Sequence, residues 1–394
     1  MGGYALGFHV DTIQDISHGK DEDPALWLRL IRSRRVGPIT FHRMIKDYGG
    51  AEQALAALPG IAKAAGIDGY EICPMGVVHH ELAQGRKAGA NMIVWGDAIY
   101  PANLHDVVDA PPILWALGDP VLLARPMIAM IGARNASSLG VRMASRLAEG
   151  LGAAGQVIVS GLARGIDAAA HEASVATGTI AVHAGGVDVV YPEENATLAD
   201  QIRDMGLRLS EQPPGLQPQS RHFPVRNRIV SGLCRAVVVV EATSRSGSLI
   251  TAKAAADQGR DVLVVPGHPL DARAAGCNQL IREGATLVRN TADIIEALRI
   301  APITAIQPIR PHVNRAALRP PMPLPGPVPV RRPLADISEV HSQILARLGP
   351  SPLAEDQLIR DLAMSAGTLA TALMTLELDG RVSRLSGGLL TRSD

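Results

Sequence analysis

The residues best equipped for chemistry gather in five short small-residue turns and one basic loop. The turns read IGARN (131–135), SGLARGID (160–167), AGGVDVVYPEEN (184–195), SRSGSLIT (244–251) and PGHP (266–269). Gly132, Gly161, Gly165 and Gly247 let a ligand approach the backbone, because no Cβ stands in the way. Amides at helix starts offer partial positive charge. Arg134 and Arg164 hold equivalent places in the first two turns and add full charges, while Ser160, Ser246 and Ser248 add hydroxyls. This combination suits an anion, above all a phosphate. The loop QSRHFPVRNRIVSGLCR (219–235) carries Arg221, Arg226, Arg228 and Arg235 with no acidic residue, and it holds Phe223 and Asn227. Arginines with an interleaved ring make a single-strand platform, in which cations track phosphates and the ring stacks on a base. The other reading is structural: Phe223 anchors the loop to the core, and Arg226 or Arg228 pairs with Glu211 or Glu241.

Other chemistries fit less well. No G-x-x-x-x-G-K-[ST] occurs, which disfavours a P-loop ATPase, and a strict G-x-G-x-x-G is absent, which disfavours a dinucleotide oxidoreductase. Asp167 and His171 stand four apart on one expected helix, with His183 after the next turn. No further ligand stands at a usable metal spacing. Asp167 is expected to cap its own helix and pair with His171. Asp188, Tyr191 and Asn195 are expected to brace their own loop. No catalytic residue, metal or cofactor is expected.

The elements that must position these turns are legible between 127 and 299. MIAMIGA, QVIVSG, TIAVHAGG, AVVVVEA and DVLVVPG are brief, near-continuous apolar runs rich in Val and Ile. Such runs fit strands buried on both faces of a parallel sheet. Helical stretches alternate with them, and in one Leu139, Met143, Leu147 and Leu151 recur every fourth residue. The alternation predicts an α/β fold with a doubly wound, mostly parallel sheet and helices on both faces. Every turn above follows a strand, so all should share the carboxyl edge where such sheets bind ligands.

The flanks differ. Residues 1–96 read as a helical domain with glycine turns at RVGPIT and LPGIAK. Each turn is either a helix–hairpin–helix whose amides meet a phosphate or a plain turn in a small bundle. Residues 301–335 hold ten prolines and five arginines and read as a semi-extended linker. Residues 336–394 read as helices and a hairpin in winged-helix order, with Ser365 as a helix cap. The helix expected over 366–379 has no Lys or Arg, unlike a DNA-reading helix. Lys+Arg and Asp+Glu balance at 38 each, which excludes a uniformly basic surface but not a local basic groove. No secretory signal or membrane-length apolar run is found. Cys73, Cys234 and Cys277 read as buried thiols of a cytoplasmic protein.

Taken in order, IGAR, SGLARGID, GGVDVVYPEEN, FPVRNRIVSGL, VVVVEATSRSGSLITAKAAADQGRDVLVVPG and GCNQLIREGA closely resemble the DNA processing protein A family, DprA or Smf. The resemblance runs from about residue 97 to about 300. It implies an extended Rossmann-like fold, homodimers, single-stranded DNA binding and loading of the RecA recombinase during natural transformation. It also implies a helical, SAM-like N-terminal domain and a C-terminal winged helix. The family's anion-contacting arginine maps to Arg134, its second basic position to Arg164, and its FPxRNR segment to Phe223, Arg226, Asn227 and Arg228. A serine often precedes that first arginine in the family; here Ala133 does. No catalytic activity is implied. The alternative is a Rossmann-like nucleoside monophosphate phosphoribohydrolase, whose PGGxGT signature is replaced here by PGHPLDARAAG.

Overall fold

The computed structural model describes residues 23–300 and, beyond them, 342–346, 353–354, 362, 372–373, 376, 381–384 and 389–392. The region expected as a linker, and Ser365, lie outside the described residues. The chain divides into one compact unit up to residue 313 and a second from 314.

The first unit opens with α1 (Pro24–Ile31), α2 (Pro38–Tyr48), α3 (Ala51–Ala64) and α4 (Met75–Ala88). Asp23 caps α1, accepting from the Ala25 amide at 2.9 Å. RVGPIT is a true turn between α1 and α2. LPGIAK is not: Pro59 sits inside α3. Burial of Leu55, Leu58 and Ala62 along one face keeps the helix continuous, overriding the local breaker chemistry. Trp27 and Phe41 pack ring to ring at 5.1 Å in the core of these helices. Glu81 of α4 is buried and accepts from both nitrogens of the Arg32 fork, at 2.9 and 2.8 Å.

The rest of the unit is built on β1 (Asn91–Val94), β2 (Ile113–Gly118), β3 (Met127–Ile131), α5 (Ser138–Ala153), β4 (Val157–Ser160), α6 (Ile166–Ser174), β5 (Thr179–Val182), α7 (Ala196–Met205), β6 (Leu207–Ser210), α8 (His222–Gly232), β7 (Ala236–Val239), α9 (Gly247–Asp257), β8 (Asp261–Val264), α10 (Ala275–Arg282), β9 (Thr286–Leu287) and α11 (Thr291–Ala297). The nine strands order as β1-β2-β6-β5-β4-β3-β7-β8-β9. From β6 to β9 all pairings are parallel, and β2 joins β6 antiparallel. Within this lies the dinucleotide-fold order, with its switch point between β3 and β7.

The five apolar runs read from the sequence are β3, β4, β5, β7 and β8. Along β3 the side chains alternate as a two-sided strand requires. Ile128 and Met130 join the core under α5, α6 and α11, whereas Met127, Ala129 and Ile131 join the core shared with α8, α9 and α10. The α5 face is shifted from the expected one. Leu139 is 70% exposed, and the buried stripe is Ala144, Leu147, Ala148 and Leu151.

In the second unit, β10 (Leu353–Ala354), β11 (Val382–Arg384) and β12 (Leu389–Arg392) form an antiparallel sheet in the order β10-β12-β11. Ile344, Leu345, Leu373, Leu376 and Val382 make its core.

Candidate nucleic-acid interface

Because β3, β4, β5, β7 and β8 are parallel, the turns that follow them meet at one edge of the sheet. There a crevice of about 720 Å³ opens at the switch point. Its walls include Gly132, Arg134 and Asn135 after β3, Gly161 and Ala163 after β4, Phe223, Arg226 and Asn227 of α8, and Ser246 to Ser248 at the start of α9.

The first turn is the most open to an anion. The backbone amides of Ala133, Arg134, Asn135 and Ala136 have no acceptor among the described residues. Arg134 is exposed, and its guanidinium carbon stands 5.3 Å from the centre of the Phe223 ring. Phe223 in turn meets Tyr191 at 5.6 Å with a 59° tilt. Tyr191 is 51% exposed, so it fronts the crevice instead of bracing its loop. Asp188 and Asn195 tie their loop to its neighbours instead of bracing it internally: Asp188 accepts from the Gly215 amide at 2.7 Å, and Asn195 donates to the Leu162 carbonyl at 2.9 Å.

The helix N-termini contribute less than their sequence suggests. At α5, the Glu241 carboxylate accepts from the Ser137 amide at 3.0 Å and from its hydroxyl at 2.5 Å. At α6, Asp167 accepts from the amides of Gly161 and Ala163, at 3.1 and 3.3 Å. Asp167 thus holds the preceding turn, where a cap on its own helix was expected. A carboxylate of the chain thus caps the entry to α5, and at α6 the Ile166 and Ala168 amides donate to the carbonyls of Ala133 and Ala163, at 3.3 and 3.1 Å, so the free amides of the first turn and the side chains are what remain for a ligand's charge. At α9, Ser246 accepts from the Ser248 amide at 3.3 Å, and their hydroxyls meet at 2.6 Å. Gly247 between them is exposed.

Several expected contacts prove structural. Ser160 is buried and donates its hydroxyl to the Met130 carbonyl at 2.6 Å. Arg226 is only 6% exposed and donates to the carbonyls of Gly161, at 2.7 Å, and Val182, at 2.5 Å. Its Nε donates to Asn227 Oδ1 at 3.2 Å. A Cβ at Gly161 would lie 2.2 Å from the Arg226 Nη1, so any larger residue there would displace the guanidinium from its two carbonyls. Arg228 is engaged by Glu211 and by Asp109, the latter at 3.3 Å. The segment expected as a basic loop is mostly the helix α8, its arginines draw their counter-charges from distant segments, and the structural reading of Arg226 and Arg228 replaces the platform reading. Arg235 precedes β7 and donates to the Leu298 carbonyl, on the opposite edge of the sheet. Arg221 and Arg164 are exposed; Arg164 pairs with Glu194 across the mouth. Gly165 (φ 72°) starts α6 against the Ala133 carbonyl, where a Cβ would stand at 2.3 Å. Arg273, absent from the sequence reading, also lines the crevice and is held by Asp271.

Beneath the crevice lies a buried polar layer. Burial pushes the Asp167 carboxyl up, with Arg226 opposing, and brings Arg226 down to about 10. Burial holds His171 at about 3 and His183 well below the ordinary imidazole value. His171 Nδ1 lies 2.7 Å from Thr179 Oγ1, and that hydroxyl donates to the Ile158 carbonyl. Nδ1 therefore carries the proton, and the buried Nε2 has no partner among the described residues. His171 does not pair with Asp167. His183 Nε2 accepts from Arg208 at 3.1 Å. Among the described residues no His, Cys, Asp or Glu group is arranged to hold a metal. Cys73, Cys234 and Cys277 are buried free thiols. No helix among the described residues is long and apolar enough to cross a membrane.

Comparison with known proteins places residues 91–299 in the family described as DNA recombination-mediator protein A. Residues 21–83 match the DprA-like N-terminal HHH domain, and residues 328–388 the DprA winged helix domain. The DNA processing protein DprA of Streptococcus pneumoniae is 48% identical over 201 residues, covering 50% of this chain and 71% of that protein. Protein Smf of Synechocystis sp. is 32% identical over 393 residues, covering 93% of this chain and 98% of its own. The X-ray structure of the S. pneumoniae protein superposes with a TM-score of 0.59 at 37% identity, over 70% of this chain and 98% of that one. A structure of DNA processing protein A from Helicobacter pylori matches with a TM-score of 0.50 at 29% identity, over 54% of this chain and 97% of that one. It is described as giving the single-stranded DNA binding mode of that protein.

Proposed function

We propose, from the premise that the chain belongs to the DNA recombination-mediator protein A (DprA/Smf) family, that its crevice grips single-stranded DNA by the phosphates. The observation that carries this reading is the first turn. Four free amides and the exposed Arg134 lie beside the Phe223–Tyr191 pair, so charge and ring are offered together. A single strand exposes both its phosphates and its base faces, and a duplex hides the latter. The grip is non-covalent: Asp167 holds the Gly161 and Ala163 amides, His171 is bonded to the Thr179 hydroxyl, and the Ser160 hydroxyl donates to the Met130 carbonyl. Residues 97–300 carry the binding, residues 1–96 and 336–394 flank it, and 301–335 link. A cytoplasmic homodimer that passes the bound strand to the RecA recombinase is the role that the family resemblance implies.

The test is a salt titration of binding to a single-stranded oligonucleotide and to its duplex, alongside incubation with nucleoside monophosphates. Tighter single-strand binding, with no free base released, is the expected result. Release of free base that a crevice substitution abolishes would replace this reading with the phosphoribohydrolase one.

A further inference from the structure

A second basic surface lies on the same edge of the sheet, on a different part of the chain. The turn between α1 and α2 carries Arg34 and Arg35, both exposed and both without an ion pair or side-chain hydrogen bond among the described residues. The turn itself is firmly held. The Tyr70 hydroxyl donates to the Arg34 carbonyl at 2.6 Å, the Val36 amide to the Ser33 carbonyl at 3.1 Å, and the Cys73 amide to Ser33 Oγ at 3.1 Å. Arg35 is held at φ 65°, a conformation in which glycine would be cheaper. A rigid turn thus presents two unpaired guanidinium groups to solvent.

Its position follows from Arg32, which donates to the Glu211 carbonyl at 3.0 Å. Glu211 immediately follows β6, and β6 runs parallel to β5, β4 and β3. The α1–α2 turn therefore sits at the carboxyl edge. Three strand spacings, about 14 Å, separate β6 from β3 and its Arg134 turn. The ground between is the loop 212–221, QPPGLQPQSR, which has no acidic residue of its own; the turn after β5 borders it with Asp188, which accepts from the Gly215 amide at 2.7 Å, with Glu194, which Arg164 pairs, and with exposed Glu193. Pro218 at its far end packs beside Phe223 and Tyr191 at the crevice. The nearby carboxylates Glu81, Glu211 and Asp109 are engaged by Arg32 or Arg228. Asp68 and Glu71, exposed on the loop that follows α3, pair with neither Arg34 nor Arg35.

We infer that Arg34 and Arg35 continue the phosphate track of the crevice, so that one single strand runs from the Arg134 turn across loop 212–221 onto the α1–α2 turn. This rests on the crevice reading above and extends it. A short strand fills the crevice alone, and only a longer one reaches the second pair of cations.

The test uses the full chain with the double variant Arg34→Gln, Arg35→Gly and two oligothymidylates of about 6 and about 20 residues, lengths chosen on either side of a one-module site. The Gly substitution relaxes the left-handed backbone, so the melting temperature should not fall. For the long strand the salt slope should drop by about 1.4, two single-strand contacts at about 0.7 each, equivalent to about 25-fold in affinity at 0.1 M salt. The short strand should bind as it does to wild type. Wild-type affinity for the long strand, or an equal loss at both lengths, would overturn the track and leave the crevice reading standing. Failure of the crevice reading looks different: the wild-type protein would show no salt-dependent binding at either length.

Discussion

Replacing Arg226 with alanine distinguishes a strut from a ligand contact. In the native chain this guanidinium sits beside buried Asp167 and ties the Gly161 carbonyl after β4 to the Val182 carbonyl of β5. Removing it leaves two buried carbonyls without their charged donor and takes a neighbouring positive charge from Asp167. Each buried polar group left without its partner costs about 1–3 kcal/mol, more where the lost partner is charged. At about 2–4 °C per kcal/mol for a large domain, the melting temperature should fall by about 10 °C. Arg134→Ala removes an exposed side chain whose neighbour is the Phe223 ring, so its stability should stay within about 0.5 kcal/mol of wild type. Thermal melts and salt titrations of single-strand binding on both variants give the answer. Arg134→Ala should lose about 0.7 from the salt slope with an unchanged melt. Arg226→Ala should show the reverse emphasis: a large melting shift and, below its own transition, a nearly intact slope. If Arg226→Ala melts like wild type and loses a full contact from the slope, Arg226 is no buried strut and reaches the phosphates.

Three further outcomes follow from neighbouring groups. Phe223→Ala should weaken single-strand binding by about 1–3 kcal/mol without changing the salt slope, read by fluorescence anisotropy at several salt concentrations. Glu194→Gln frees Arg164 from an exposed ion pair worth about 0.2–1 kcal/mol, so low-salt affinity should rise by up to about fivefold. Buried neutral His171, held at about 3, binds its proton more weakly in the folded chain than in the unfolded one. Its contribution to stability is therefore full above the unfolded value, about 6.5, and is lost as pH falls. Denaturant unfolding should show about 1.4 kcal/mol lost per pH unit between about 6.5 and 3 from this group, and His171→Gln should remove that component.

The central strands were legible because they are buried on both faces, which forces continuous Val and Ile runs such as VVVV at 237–240. β6 was not, since it reads LRLS and buries an arginine against His183, a partner that no local pattern discloses. α3 was misread at LPGIAK because proline and glycine signal a turn locally, while packing decided for a helix. The same gap between local and tertiary information explains the site. Arg134 and Arg164 were placed by turn geometry, which sequence carries. Arg226 and Arg228 looked free because Asp167, Glu211 and Asp109 arrive from other strands and turns. Tyr191 and Arg273 were missed for the converse reason, as ordinary loop residues brought to the crevice only by the fold.

Glu241 has a consequence for what the crevice ignores. In a dinucleotide fold the start of the first helix is where a cofactor's pyrophosphate docks. Here that seat already holds a carboxylate, and Gly140 is packed so closely against it that a Cβ would lie 2.5 Å from its oxygen. A free nucleotide must evict a tightly hydrogen-bonded resident before it gains its best contact. A polymer has no such need, because it can gather several weak rim contacts at once, and tethering makes each successive contact effectively intramolecular. On the proposed function, the resident carboxylate therefore disfavours single free nucleotides and leaves the crevice to connected strands.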